Sequence, residues 1–102
     1  LQLDKLVLCR FNNLSLDAQR TLRTASVIGL TFTGTLLYNI LPKYLQTHMQ
    51  VSMDVLLSQK WLYEDTEIPE LLQFSHPHAH KIIYQLTPSS ERNILHQTIA
   101  TA

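Results

Sequence analysis

The sequence predicts a mainly α fold, a helical bundle interrupted by one β-hairpin. Three observations lead there. Apolar residues recur at helical spacing between Leu3 and Leu57, and again between Ala79 and Ile99. Between those stretches, Lys60-Trp61-Leu62-Tyr63-Glu64 alternates and is rich in strand-forming aromatics. A turn-like Asp65-Thr66-Glu67-Ile68-Pro69 then leads into a second strand, Leu71 to Phe74.

Leu3, Leu6, Val7 and Leu14 mark a first short helix with an apolar stripe, ending near Asn12-Asn13. Ser15 offers a side-chain oxygen to the free amides of a second helix, with Asp17 in its electropositive first turn. Ala18, Leu22 and Ala25 fall on one face of that helix, with Gln19, Arg20 and Arg23 facing outward. Gly29 can take the left-handed conformation that ends it. Thr33 caps a third helix, Gly34 to Leu41, which buries Leu36, Leu37, Ile40 and Leu41 before Pro42 stops it. A fourth, Met49 to Gln59, uses Val51, Met53, Leu56 and Leu57. After the hairpin, Pro77 suits the first turn of a helix because it has no amide to leave unpaired. Ala79, Ile82, Ile83 and Leu86 form its stripe. Thr87-Pro88 repeats the cap-then-proline signal before a last helix carrying Leu95, Ile99 and Ala102. Helices leading into a two-stranded wing, then two further helices, describe a winged helix.

With 102 residues and 45% apolar content, the chain has the size of one domain, residues 1–102, with a modest core. It starts on Leu1 and ends mid-pattern on Ala102, and so reads as a piece excised from a longer protein. Eight basic and eight acidic residues give a net charge of zero, which disfavours a free-standing nucleic-acid binder. The helix that would read DNA in a winged helix, Met49 to Gln59, has no Lys or Arg and carries Asp54. One cysteine, Cys9, cannot form an internal disulfide; it fits a reducing cytoplasmic compartment and reads as a small buried apolar residue. No stretch approaches the roughly 20 apolar residues of a membrane span. Of the aromatics on the first wing strand, Trp61 is expected to seal the core, and Tyr63 to do the same from the rim.

The candidate site is the stretch Phe74-Ser-His-Pro-His-Ala-His-Lys-Ile-Ile-Tyr84, followed by Arg92 and His96. His76 falls at a helix mouth, where free amides and the helix dipole favour an anion. The bland alternative is that His76 caps the helix and packs beside Phe74. His76, His78 and His80 alternate, and on a strand all would face one way as metal ligands, with His96 as a fourth. Pro77 and the Ala79-Ile82-Ile83 stripe argue for a helix instead, where i and i+2 point roughly 200° apart. Only His76 and His80 could then chelate, and no metal site is assigned. Arg92 and His96, at i and i+4, are expected on an outer, solvated face or against a following repeat, and Tyr84 in the core with its hydroxyl at a polar edge. No nucleophile with a supporting base is evident, so the segment itself is not expected to be an enzyme.

Two segments resemble the winged-helix domain that follows the ATPase core in STAND-type NTPases. One is Leu14-Ser-x-x-Ala18-Gln-x-x-Leu22-x-x-Ala25-Ser-Val-Ile-Gly29-x-x-Phe32, continuing to Leu36-Leu37 and Leu41-Pro42. The other is Phe74-x-His76, Tyr84, Arg92, Leu95-His96 and Ile99-Ala100. Together they span most of residues 14–100 in the expected order. Phe11-Asn-Asn-Leu-Ser-Leu-Asp-Ala-Gln and the Leu-Leu-Tyr-Asn-Ile-Leu-Pro turn look closest to the large soluble adenylyl cyclases. Lys81 departs from the pattern where an acidic residue is common, as do Pro77 and His78 in place of an aliphatic pair. No Walker A loop occurs.

The resemblance implies a non-catalytic regulatory domain in a parent that makes cAMP, with ATPase core and helical repeats as intramolecular partners and no nucleic acid. It implies no cofactor bound by the segment alone. His76 would contact the β-phosphate of ADP at the interface with the ATPase core, and exchange for ATP would release it. A plain protein-interaction domain and a DNA-binding winged helix are the alternatives.

Overall fold

A computed structural model describes residues 2–101. Helix α1, Gln2–Asn12, forms where the periodicity places it, but turns a different face inward. Val7, Phe11 and Leu14 enter the core, while Leu3 and Leu6 stay 56% and 61% exposed. Cys9 is also exposed, not the small buried residue expected of it.

Helix α2, Leu16–Ile28, is the central element, against which four of the helices that follow it pack. The Ser15 hydroxyl accepts from the Ala18 amide at 3.1 Å, and Asp17 sits in the first turn. Ala18, Leu22 and Ala25 are 0% exposed. The two alanines let neighbouring backbones approach closely, and a leucine buried as fully as Leu22 contributes about 1.5–3 kcal/mol. Thr24 and Ser26 bury their hydroxyls by donating to the Arg20 and Arg23 carbonyls of their own helix. Gly29 ends α2, though not in the left-handed helical conformation: φ 153° and ψ −175° lie in a region open essentially to glycine alone.

Strand β1, Thr31–Thr33, has no counterpart in the sequence reading. Thr33 then caps α3, Gly34–Ile40, its hydroxyl accepting from Leu36 N at 3.2 Å. A short helix α4, Lys43–Thr47, was not foreseen either; it starts on the Pro42 carbonyl and buries Leu45. Helix α5, Met49–Ser58, buries Ser52, Met53 and Leu56, whereas Val51 is 67% exposed.

Strands β2, Leu62–Glu64, and β3, Leu71–Phe74, form the expected hairpin. The sheet, however, has three antiparallel strands in the order β1-β3-β2, with Phe32 opposite Leu72 and Leu62 opposite Phe74. All four of those side chains are buried, as is Trp61. Tyr63 does not seal the core: it is 45% exposed and donates its hydroxyl proton to Gln73 Oε1 at 2.9 Å. At the hairpin tip, Asp65 Oδ1 accepts from the Glu67 and Ile68 amides, each at 2.8 Å.

Helix α6, Pro77–Leu86, buries Ala79, Ile82 and Ile83 but leaves Leu86 exposed. Thr87 closes α6 instead of opening the next helix, since its hydroxyl donates to the Ile83 carbonyl and its amide to that of Tyr84. Helix α7, Ser89–Thr101, brings Leu95 against Val27 and Ile40 in a second apolar cluster, with Ile99 packed beside it. Ala102, assigned to this stripe by the sequence, lies outside the described residues. Among the described residues the fold is therefore mainly helical, with one small antiparallel sheet.

Candidate functional site

Pro77 at the first position of α6 fixes where the helix begins, and leaves His76 extended at φ −134°, ψ 121°. His76 is exposed and its side chain makes no capping hydrogen bond. Its imidazole therefore stands at the helix mouth without closing it.

Helix α1 passes alongside this mouth, and the two elements bound a cleft of about 470 Å³. Leu3, Leu6, Val7, Trp61 and Ala79 supply its apolar walls. Arg10, Lys60, His76 and His78 supply every ionisable group in the lining, and none of them is acidic. Leu3, Leu6 and Arg10, at i, i+3 and i+7, share one face of α1. That face looks into the cleft, which explains why two leucines at core-like spacing stay exposed.

Arg10 is held in place twice. Its Nη2 donates to the Gln59 carbonyl at 2.7 Å, and its guanidinium lies 4.6 Å from the Trp61 ring centroid. Trp61 in turn meets Phe11 edge-on at 6.4 Å. Lys60 sits where α5 ends, at φ 64°. The Trp61 and Lys60 amides reach back to the Leu56 and Leu57 carbonyls, the bonding pattern that usually places glycine at this position.

The three alternating histidines go three ways. His76 lines the cleft; His78 Nε2 lies 2.7 Å from Asp4 Oδ1 and so ties α6 to α1. His80 donates Nε2–H to the Ser26 carbonyl at 2.9 Å and packs on Phe74, ring centroids 4.9 Å apart. It is thus His80, not His76, that packs against Phe74. His76 and His80 do not converge as chelators, and no group of three or more metal-ligating side chains forms among the described residues.

His96 is exposed and Arg92 half-buried, as expected of the outer side of α7, and both also contact Tyr84. The guanidinium lies 4.9 Å from the tyrosine ring centroid, and the hydroxyl is 3.3 Å from His96 Nε2. With Phe74 and His80 they build a column that joins β3, α6 and α7. These residues fasten helices to one another and sit apart from the cleft.

Charge is distributed unevenly. Glu64, Asp65, Glu67 and Glu70 cluster at the hairpin, away from the cleft's cations. The amides of Ile68 and Glu67 hold the Asp65 carboxyl below its ordinary value, and a Gln73 side-chain bond adds to this. On α5, Gln50 Nε2 donates to Asp54 Oδ1, and the helix presents no cationic side chain.

Sequence reasoning found His76 but missed Arg10 and Lys60. The spacing of Arg10 from Leu3 and Leu6 was the available signal; Lys60 gave none, because glycine is the usual mark of its conformation. No helix among the described residues is long and apolar enough to cross a membrane. No protein-family model matches the chain, and no curated protein or solved structure is significantly similar to it.

Proposed function

We propose that this chain is a winged-helix regulatory domain of a multidomain signalling ATPase, coupling the nucleotide state of the ATPase core to helical repeats. The winged-helix reading is supported by the helix–strand–helix sequence that precedes α5, the hairpin that follows it, and a sheet in which β3 lies between β1 and β2. The regulatory reading extends the resemblance to STAND-type NTPases. In the adenylyl cyclase version of that reading, cAMP is made by other parts of the parent, and this domain performs no chemistry.

The observation that carries the nucleotide role is His76: exposed, at the mouth of a ten-residue helix, uncommitted to capping, and beside Arg10 and Lys60. Those donors fit a phosphate, because imidazole N–H, guanidinium and ammonium all favour an anion next to free helix amides. Nothing in the lining selects adenine, so base recognition falls to the ATPase core. With ADP bound, His76 would hold the domain against that core; ATP, lacking the same contact, would release it. Hydrogen exchange in the parent protein tests this. Residues 3–10 and 76–80 should be protected with ADP and exposed with ATP, and equal protection in both states counts against the switch.

The plain interaction-domain alternative draws on Leu3 and Leu6, whose exposed side chains suit a protein neighbour as well as a nucleotide. DNA binding has no comparable support, because α5 offers nothing to neutralise phosphates.

A further inference from the structure

We propose that the α1–α6 cleft receives the tip of the β2–β3 hairpin from a second copy of this chain, giving a head-to-tail contact. The two surfaces are complementary in three respects. The cleft has apolar walls, and the tip presents Ile68, 54% exposed, as one large aliphatic anchor. Arg10, Lys60 and His76 line the cleft with no carboxylate among them, and Glu64 and Glu67 flank Ile68 with no base. Each is also held in shape before contact. Arg10 is pinned on Trp61, while Asp65 accepts two tip amides and Glu70 Oε1 accepts from the Thr35 hydroxyl at 2.6 Å. Little ordering is then lost on docking.

A tip cannot fill its own cleft. Lys60, Trp61 and His76 stand at the base of the hairpin and Ile68 at its far end, separated by strands of three and four residues, roughly 10 Å of extended backbone. A pair joined by a single tip leaves one tip and one cleft unused, so a contact that is not reciprocated closes as a ring or propagates. One tip covers much less than the area of a stable dimer interface, so the association is weak and salt-sensitive. The proposal is independent of the nucleotide reading: it needs neither ADP nor an ATPase core.

Sedimentation velocity across a wide range of concentration at low salt tests it. The expected result is a weight-average mass that rises from 11.8 kDa past twice that value, and falls back when salt is added. Ile68→Asp, Lys60→Glu and Glu67→Lys should each hold the chain at the monomer mass. Trp61 fluorescence and circular dichroism verify that the variants are folded. Mixing Lys60→Glu with Glu67→Lys should restore association up to twice the monomer mass and no further, because the first keeps a native tip and the second a native cleft, and each lacks the other surface. A mass of 11.8 kDa at every concentration overturns the proposal. Association that all three variants retain also overturns it, since the contact then lies on another surface.

Discussion

The Trp61 amide reaches back five residues to the Leu56 carbonyl, 2.9 Å away, and holds Lys60 between them at φ 64°. This closes α5, starts the hairpin and places an ammonium group at the cleft. A side chain with a β-carbon is strained there by about 1–2 kcal/mol. Lys60→Gly relieves the strain but loosens the unfolded chain, so the expected net gain is roughly 1 kcal/mol. Urea unfolding followed by the single tryptophan, Trp61, measures it. A loss of stability would mean that Lys60 holds the cleft together.

His80 fastens α6 to α2 and β3, through its bond to the Ser26 carbonyl and its contact with Phe74. His80→Ala removes both and should cost about 2 kcal/mol in thermal or urea unfolding. His80→Phe keeps the aromatic contact and loses only the bond, at about 1 kcal/mol. Equal losses in the two variants would assign the whole effect to one interaction.

Asp65 gives the hairpin tip a defined pH response. Its carboxyl is held below the ordinary value by the Ile68 and Glu67 amides, so the folded state binds that proton less readily than the unfolded chain. The contribution to stability is complete above the ordinary carboxylate range and is lost as pH falls below about 4, through the folded-state value. Protection of the Glu67 and Ile68 amides, taken relative to the intrinsic exchange rate at each pH, should fall over that interval in the wild type. Asp65→Asn has no proton to gain and should show no such step.

Much of the fold could be read from the sequence because its signals are local. Ser15 and Thr33 cap their helices as expected, and Pro77 opens α6. The errors arise where the partner is distant. Strand β1 contains a single buried residue, Phe32, and pairs with a strand some forty residues on, so no local pattern announces it. Leu3 and Leu6 have core spacing, but the cleft, which involves α6, decides their exposure. At the site, His76 could be placed because Pro77 fixes the helix start. Arg10 and Lys60 could not be placed beside it, since that requires the packing of α1 on the end of α5.

Tyr84 joins α6 to α7 through Arg92 and His96. Tyr84→Ala should free α7 while leaving α2 folded. Hydrogen exchange would then rise across residues 89–101 and change little at Ala18, Leu22 and Ala25. Uniform acceleration along the chain would instead show that α7 belongs to one cooperative unit with the core.

The most direct test of the nucleotide role is ADP titration of the parent protein, comparing wild type with His76→Ala. A hydrogen bond to a charged phosphate is worth about 1.5–3 kcal/mol, so the substitution should weaken ADP binding by roughly tenfold or more and leave ATP binding almost unchanged. Unchanged ADP affinity in the His76→Ala protein would contradict the account.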